Sequence, residues 1–253
     1  MTGGEVKIMS TFEQAAGHLM VALDYPTAEE ARKLITDLEG IPCYVKLGMQ
    51  LYYTVGPDFV RELKKRGYRV FLDLKMHDIP NTVKGGADSV TRLGVDMFNV
   101  HAAGGLKMMA AALEGAKAAL ESDASLTMPT IIAVTQLTST SQETLNQEIG
   151  IPGTMEDAVV AYAALAKTAG LHGVVASPLE VQAIKKHCGE SFKTVTPGIR
   201  PAGSAAGDQF RTLTPGDAIR QGTDFIVVGR PITQANDPRR AAKLIIEEMK
   251  EAW

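Results

Sequence analysis

Val70-Phe-Leu-Asp-Leu-Lys75, continuing into Met-His-Asp78, is the stretch on which the fold reading turns. A run this apolar suits a strand covered on both faces, as the strands of parallel sheets are. Two charged residues interrupt it at its end. Their spacing of two puts Asp73 and Lys75 on one face of a regular strand and Leu74 on the other. Leu74 is therefore expected against helices and the charged pair in the interior, where charge is costly unless paired.

Outward from this strand the same alternation repeats along the whole chain. Short β-branched runs at residues 18–24, 44–48, 70–75, 97–101, 130–134, 173–176, 194–196 and 224–228 are separated by longer helical patterns. Thr27-Ala-Glu-Glu30 and Ser177-Pro-Leu-Glu180 read as capping boxes, and Thr214-Pro215 and Asp237-Pro238 repeat that start signal. Gly67, Gly94, Gly170, Gly189 and Gly222 stand where helices would stop, at positions that favour positive φ. Eight strand–helix units without a Pro/Ser-rich linker predict a closed (β/α)8 TIM barrel, an α/β fold of about 250 residues. The expected organisation is one domain over residues 1–253, with about 1–16 as an N-terminal extension or helix and 18–253 as the barrel. A doubly wound open sheet is the alternative, weakened because no G-x-G-x-x-G follows the first strand.

Composition removes other classes. The 26 basic and 29 acidic side chains leave a formal charge of −3, without the basic surplus expected of a nucleic-acid binder. No apolar stretch approaches the ~20 residues that cross a bilayer, and the N-terminus lacks a secretory core. Cys43 and Cys188 are too few for a disulfide framework or metal cluster and are expected reduced and buried, which suits a cytoplasmic protein.

Barrel active sites lie at the C-terminal ends of strands, and unusual residues gather there: Asp24, Lys46, Asp73, Lys75 and Asp78, His101, Gln136 to Ser139, Pro197 to Arg200, and Gly229-Arg230. The Asp73/Lys75 pair with Lys46 one strand away suits a catalytic array; it suits a structural ion-pair network as well. Val195-Thr-Pro-Gly-Ile-Arg200 and Val227-Val-Gly-Arg230 follow strands seven and eight, where barrels often hold phosphate. Glycine lets backbone N–H groups approach an anion, and an arginine grips it with two hydrogen bonds; for Arg230 the plainer reading is a surface salt bridge. Between them Pro201-Ala-Gly-Ser-Ala-Ala-Gly-Asp-Gln209 reads as a lid with Gln209 facing the ligand, or as a plain solvent loop. His101 is expected as a satisfied polar residue near the site rather than an acid or base. Glu13 and Glu62 are expected on solvated helix faces.

Taken together, Ala22-Leu-Asp24, Lys46, Asp73-Leu-Lys-Met-His-Asp-Ile-Pro-Asn-Thr82, Leu137-Thr-Ser139, Thr196-Pro-Gly-Ile-Arg200, Gly207-Asp-Gln209 and Val228-Gly-Arg230 resemble the orotidine 5′-phosphate decarboxylases. The resemblance runs from about Leu19 to the last helix. It implies loss of CO2 from orotidine 5′-phosphate to give UMP, with Lys75 protonating C6, Asp73 beside the departing carboxylate, and Lys46 and Asp78 completing the alternating catalytic array. It further implies that Asp78 and Thr82 serve the neighbouring site of a homodimer. Asp24 and Lys46 would hold ribose hydroxyls, Ser139 would read the pyrimidine edge, Gln209 would bridge base and phosphate, and Arg230 would clamp the phosphate. Pro197, Arg200 and Gly229 would complete the substrate-binding set. No metal or other cofactor is expected, and no nucleic-acid or membrane partner.

Three rivals remain at this point. A Mg2+-dependent sugar-phosphate decarboxylase such as 3-keto-L-gulonate 6-phosphate decarboxylase shares the Asp-x-Lys-x-x-Asp core, but Ile79-Pro-Asn-Thr82, Ser139 and Gln209 favour a nucleotide. A Schiff-base aldolase needs a neutral lysine, which close carboxylates oppose. A non-catalytic phosphate binder has little reason to carry the cost of an intact Asp/Lys array.

Overall fold

The structure is a computed structural model, and it describes residues 11–201 and 212–253. Strands and helices alternate: α1 (Thr11–Ala16), β1 (Leu19–Ala22), α2 (Ala28–Asp37), β2 (Tyr44–Gly48), α3 (Met49–Lys65), β3 (Arg69–Met76), α4 (Pro80–Arg92), β4 (Met97–His101), α5 (Gly105–Ser122) and β5 (Thr130–Val134). The second half continues with α6 (Met155–Thr168), β6 (Gly173–Val175), α7 (Val181–Cys188), β7 (Lys193–Thr196), α8 (Pro215–Arg220), β8 (Phe225–Val228), α9 (Arg230–Thr233) and α10 (Pro238–Ala252). All eight strands are parallel, and β8 pairs with β1 to close the barrel. The open doubly wound alternative is thereby excluded.

Local chemistry starts and stops these elements as the sequence indicates. Thr27, Thr214 and Asp237 each accept a backbone N–H of the helix they precede, which satisfies one otherwise orphaned donor. Ser177 caps a single 3-10 turn instead, accepting from the Leu179 N–H. Gly67, Gly94, Gly170, Gly189 and Gly222 all have φ between 74° and 90°.

Alternation along the strands sorts side chains into two cores. Val21, Val45, Leu47, Val70, Leu72, Phe98 and Val100 face the helices, and Leu74 packs against the same layer. Met20, Tyr44, Phe71, Met97, Ile132, Val195 and Val227 fill the lumen. Tyr44 stands edge-on to Phe225, with the Arg69 guanidinium 4.4 Å from its ring centre, so the N-terminal end of the lumen is closed. Lys46, Asp73 and Asn99 lie two residues beyond Tyr44, Phe71 and Met97, which places the polar layer toward the C-terminal mouth. Outside the barrel, α4 and α5 approach so closely that a Cβ on Gly115 would lie 2.1 Å from the Lys84 carbonyl oxygen.

Glu62 lies on a solvent-facing side of α3 as expected, and there forms a two-pronged ion pair with Arg32 of α2, at 2.9 and 2.7 Å. One expectation is corrected. His101 is not satisfied: its buried Nδ1 has no hydrogen-bond partner among the described residues, and its ring stacks on His77 at 5.5 Å. Burial, then the nearby His77 and Lys75, lowers its pKa. Cys43 and Cys188 are buried and unpaired as expected, and burial pushes the Cys43 thiol up to about 12. No helix of the described residues is long and apolar enough to cross a membrane.

Candidate active site

A cavity of about 520 Å3 opens at the C-terminal mouth, within the range of small-molecule sites. Asp24, Lys46, Asp73, Lys75, Ser139, Pro197, Arg200, Gly229 and Arg230 all line it. Gln136 and Thr138 join Ser139 on the wall that follows β5.

Its floor is an ion chain of alternating sign. Lys46 Nζ lies 3.3 Å from Asp24 Oδ1 and 3.2 Å from Asp73 Oδ2, and Lys75 Nζ lies 2.8 Å from Asp73 Oδ1. Lys46 and Asp73 are each 8% exposed, so these charges sit in a medium where pairing matters. Burial by itself would raise the Asp73 pKa; Lys46, Lys75 and the hydrogen bonds from Lys75 and Asn99 outweigh it and hold the carboxyl down at about 2. Burial would likewise discharge Lys46, but Asp73 and Asp24 overcome it and raise its pKa. Both therefore carry full charge at neutral pH.

Asp73 and Lys75 do not meet by regular alternation. The β3–β4 register shifts between Leu72 and Met76, and Lys75 has a φ of 52°. A left-handed lysine in a strand is a strained backbone state that its surroundings must enforce. The residue opposite is Asn99, which bonds both the Lys75 N–H and the Asp73 carboxylate. Sequence reading passed over it. The available signal was a lone amide inside the apolar run Met97-Phe-Asn-Val-His101. Gln234, which also lines the cavity, carried no signal beyond its place four residues after Arg230.

The opposite rim comes from β7 and β8. Gly198 has a φ of 84°, turning the chain between Pro197 and Ile199. The Arg200 N–H donates to the carbonyl of Leu213, just before α8. Arg230 opens α9 directly after Gly229. An anion at this rim would thus face an arginine across the cavity from the ion chain.

Asp78 and Thr82 do not line this cavity. Asp78 is exposed and accepts from the Ile79 N–H at 2.6 Å, and Thr82 lies exposed in the first turn of α4. Gln209, and most of the 201–209 stretch read as a lid, lie outside the described residues. Among the described residues, no group of three or more His, Cys, Asp and Glu side chains is arranged to hold a metal ion.

The model of the Orotidine 5'-phosphate decarboxylase / HUMPS family matches residues 17–245. The chain belongs to this family. It is 51% identical over 231 residues to an orotidine 5'-phosphate decarboxylase of Geobacillus sp. (strain WCH70), covering 91% of this chain and 96% of the relative. A protein of the same name from Moorella thermoacetica is 50% identical and is covered to 93%, as is this chain. Among solved structures, the orotidine 5'-phosphate decarboxylase of Lactobacillus acidophilus superimposes with a TM-score of 0.82 at 42% identity, over 91% of this chain and 98% of that one. The family match spans every strand of the barrel, from β1 to β8.

Proposed function

We infer that the chain converts orotidine 5′-phosphate to UMP and CO2, the last step of pyrimidine nucleotide synthesis. The observation that carries this reading is the Asp24–Lys46–Asp73–Lys75 ion chain, buried at Lys46 and Asp73, facing an arginine-bearing rim in a member of this family.

In the proposed reaction the bond from C6 to the carboxylate breaks and its electron pair stays on C6. The Lys75 ammonium stabilises that pair as it forms and then gives C6 its proton, so no electron sink beyond the protein is invoked. Asp73, held ionised, is no proton donor. Its role is to fix the Lys75 ammonium and, with Lys46, to keep the array electrically balanced. Asp24 and Lys46 are read as holding the ribose hydroxyls, Ser139 the pyrimidine edge, and Pro197, Arg200, Gly229 and Arg230 the phosphate end, with Gln209 bridging base and phosphate. Binding energy collected at the remote phosphate would orient the substrate for reaction at C6.

Asp78 and Thr82 are exposed and do not line their own cavity, and Ile79 between them is 66% exposed. Their exposure supports a homodimer in which both serve the neighbouring site. The chain is read as one barrel domain, 18–253, after an extension of about residues 1–16. Unpaired buried cysteines and the biosynthetic role support a cytoplasmic location.

The test is an ultraviolet assay of purified protein with orotidine 5′-phosphate, with and without EDTA. Turnover is expected in both, and Lys75→Ala should abolish it while UMP still binds. A wild-type protein without turnover overturns the assignment; activity lost to EDTA and restored by Mg2+ would favour the sugar-phosphate branch of chemistry.

A further inference from the structure

Four steps along β3, from Leu72 to Met76, match two along β4, from Phe98 to Val100. The bulge that results has a single residue opposite it, Asn99, which is 1% exposed. Its Oδ1 accepts the Lys75 N–H at 2.8 Å, and its Nδ2 donates to Asp73 Oδ1 at 2.7 Å. One contact demands an acceptor and the other a donor, and the two together fix the orientation of the amide. Aspartate at this place would supply only acceptors and set a second carboxylate against Asp73. A leucine of similar shape would supply neither bond.

Lys75 is the one non-glycine residue with positive φ among the described residues. The ladder bond that a regular strand would give its N–H is replaced by the Asn99 side chain. Asn99 does not line the cavity, so it reaches the chemistry only through its two neighbours.

We propose that Asn99 is a positioning residue for the decarboxylation, pinning the β3 bulge so that the Lys75 ammonium is delivered to Asp73 and the cavity floor. This rests on the reading of the reaction given above. Without the amide, the Lys75 N–H loses its partner and the bulge relaxes toward the ordinary pleat. Nζ then swings away from Asp73 Oδ1 while the phosphate rim, on other strands, is untouched.

The experiment compares wild type, Asn99→Ala and Asn99→Asp by steady-state kinetics on orotidine 5′-phosphate, UMP binding and a crystal structure of Asn99→Ala. Misplacing a reacting group by about 1 Å costs on the order of 100-fold, so kcat should fall by about that factor. KM and UMP affinity should stay within about threefold, and the Lys75 φ should become negative. A folded Asn99→Ala that keeps wild-type kcat, or a Lys75 φ that stays positive in its crystal structure, overturns the proposal. If the alanine variant does not fold, Asn99→Asp decides: it retains the acceptor for Lys75 but repels Asp73, and a wild-type kcat there also overturns it. Absence of turnover in the wild type would sink the decarboxylase reading instead, leaving the Lys75 backbone angle as an independent readout of Asn99.

Discussion

Lys46 is shared between two carboxylates, its Nζ 3.2 Å from Asp73 Oδ2 and 3.3 Å from Asp24 Oδ1. The lysine is almost fully buried, whereas the Asp24 side chain is 55% exposed. One cation therefore links a solvated carboxylate at the mouth to a dry one at the floor. Removing a partner from such a pair leaves an uncompensated buried charge, which is far costlier than never having had the pair. The array gains rigidity from this arrangement, and its electrostatics can be probed residue by residue.

Acid should expose the contribution of Asp73. Its pKa is about 2 in the folded protein against 3.8 as the ordinary value. A carboxylate depressed on folding stabilises the native state above its unfolded pKa, and that stabilisation disappears as pH falls through the folded pKa. The shift is worth on the order of 2 kcal/mol. Urea unfolding of wild type and Asp73→Asn should therefore show a stability difference that changes by about that amount between roughly pH 4 and pH 2. A difference independent of pH would contradict it.

Arg230→Ala should act on the phosphate end alone. Loss of charge-assisted hydrogen bonds, at about 1.5–3 kcal/mol, predicts a KM for orotidine 5′-phosphate raised by roughly 10- to 100-fold. Binding of uridine, which lacks the phosphate, should be unchanged. Equal weakening of both ligands would remove Arg230 from the phosphate role.

Mixing subunits tests whether Asp78 crosses to a neighbour. Lys75→Ala and Asp78→Asn should each be inactive alone. In a mixed dimer the one site that takes Lys75 from one chain and Asp78 from the other is intact. Unfolding and refolding an equal mixture should restore about a quarter of wild-type activity, given random twofold pairing. No recovery in verified mixed dimers would place Asp78 in its own subunit's site or in none.

Gly115→Ala should loosen the barrel wall without touching the cavity. The added methyl would lie 2.1 Å from the Lys84 carbonyl oxygen, forcing α4 and α5 apart. Overpacking of this kind costs about 1–3 kcal/mol. Differential scanning calorimetry should show a lower Tm; an unaltered Tm would mean the helices separate freely.

Much of the barrel can be read from local sequence because its signals are local. Apolar runs, capping side chains and the positive-φ glycines each act within a few residues, so strands β2, β4 and β5 end where their residues indicate. Gly229-Arg230 is legible for the same reason: it directly follows Phe225-Ile-Val-Val228, and the fold puts such positions at the mouth. Leu74 faces the helices as alternation requires.

The Asp73/Lys75 contact shows where local reading stops. Sequence put the two residues together through a spacing of two; the structure brings them together through a bulge and a left-handed lysine. Asn99 lies 24 residues from Lys75 and 26 from Asp73, and no local pattern ties it to either. His101 departs from expectation for the same cause: nothing near it in sequence shows that its buried nitrogen lacks a partner. The sequence by itself determined the eight-fold alternation, the strand faces and the residue types at the mouth, because backbone geometry and solvation act over a few residues. Only the tertiary structure decided which buried polar groups satisfy one another, because in a dry interior each donor and acceptor must find its partner in space, and barrel closure supplies those partners from distant strands.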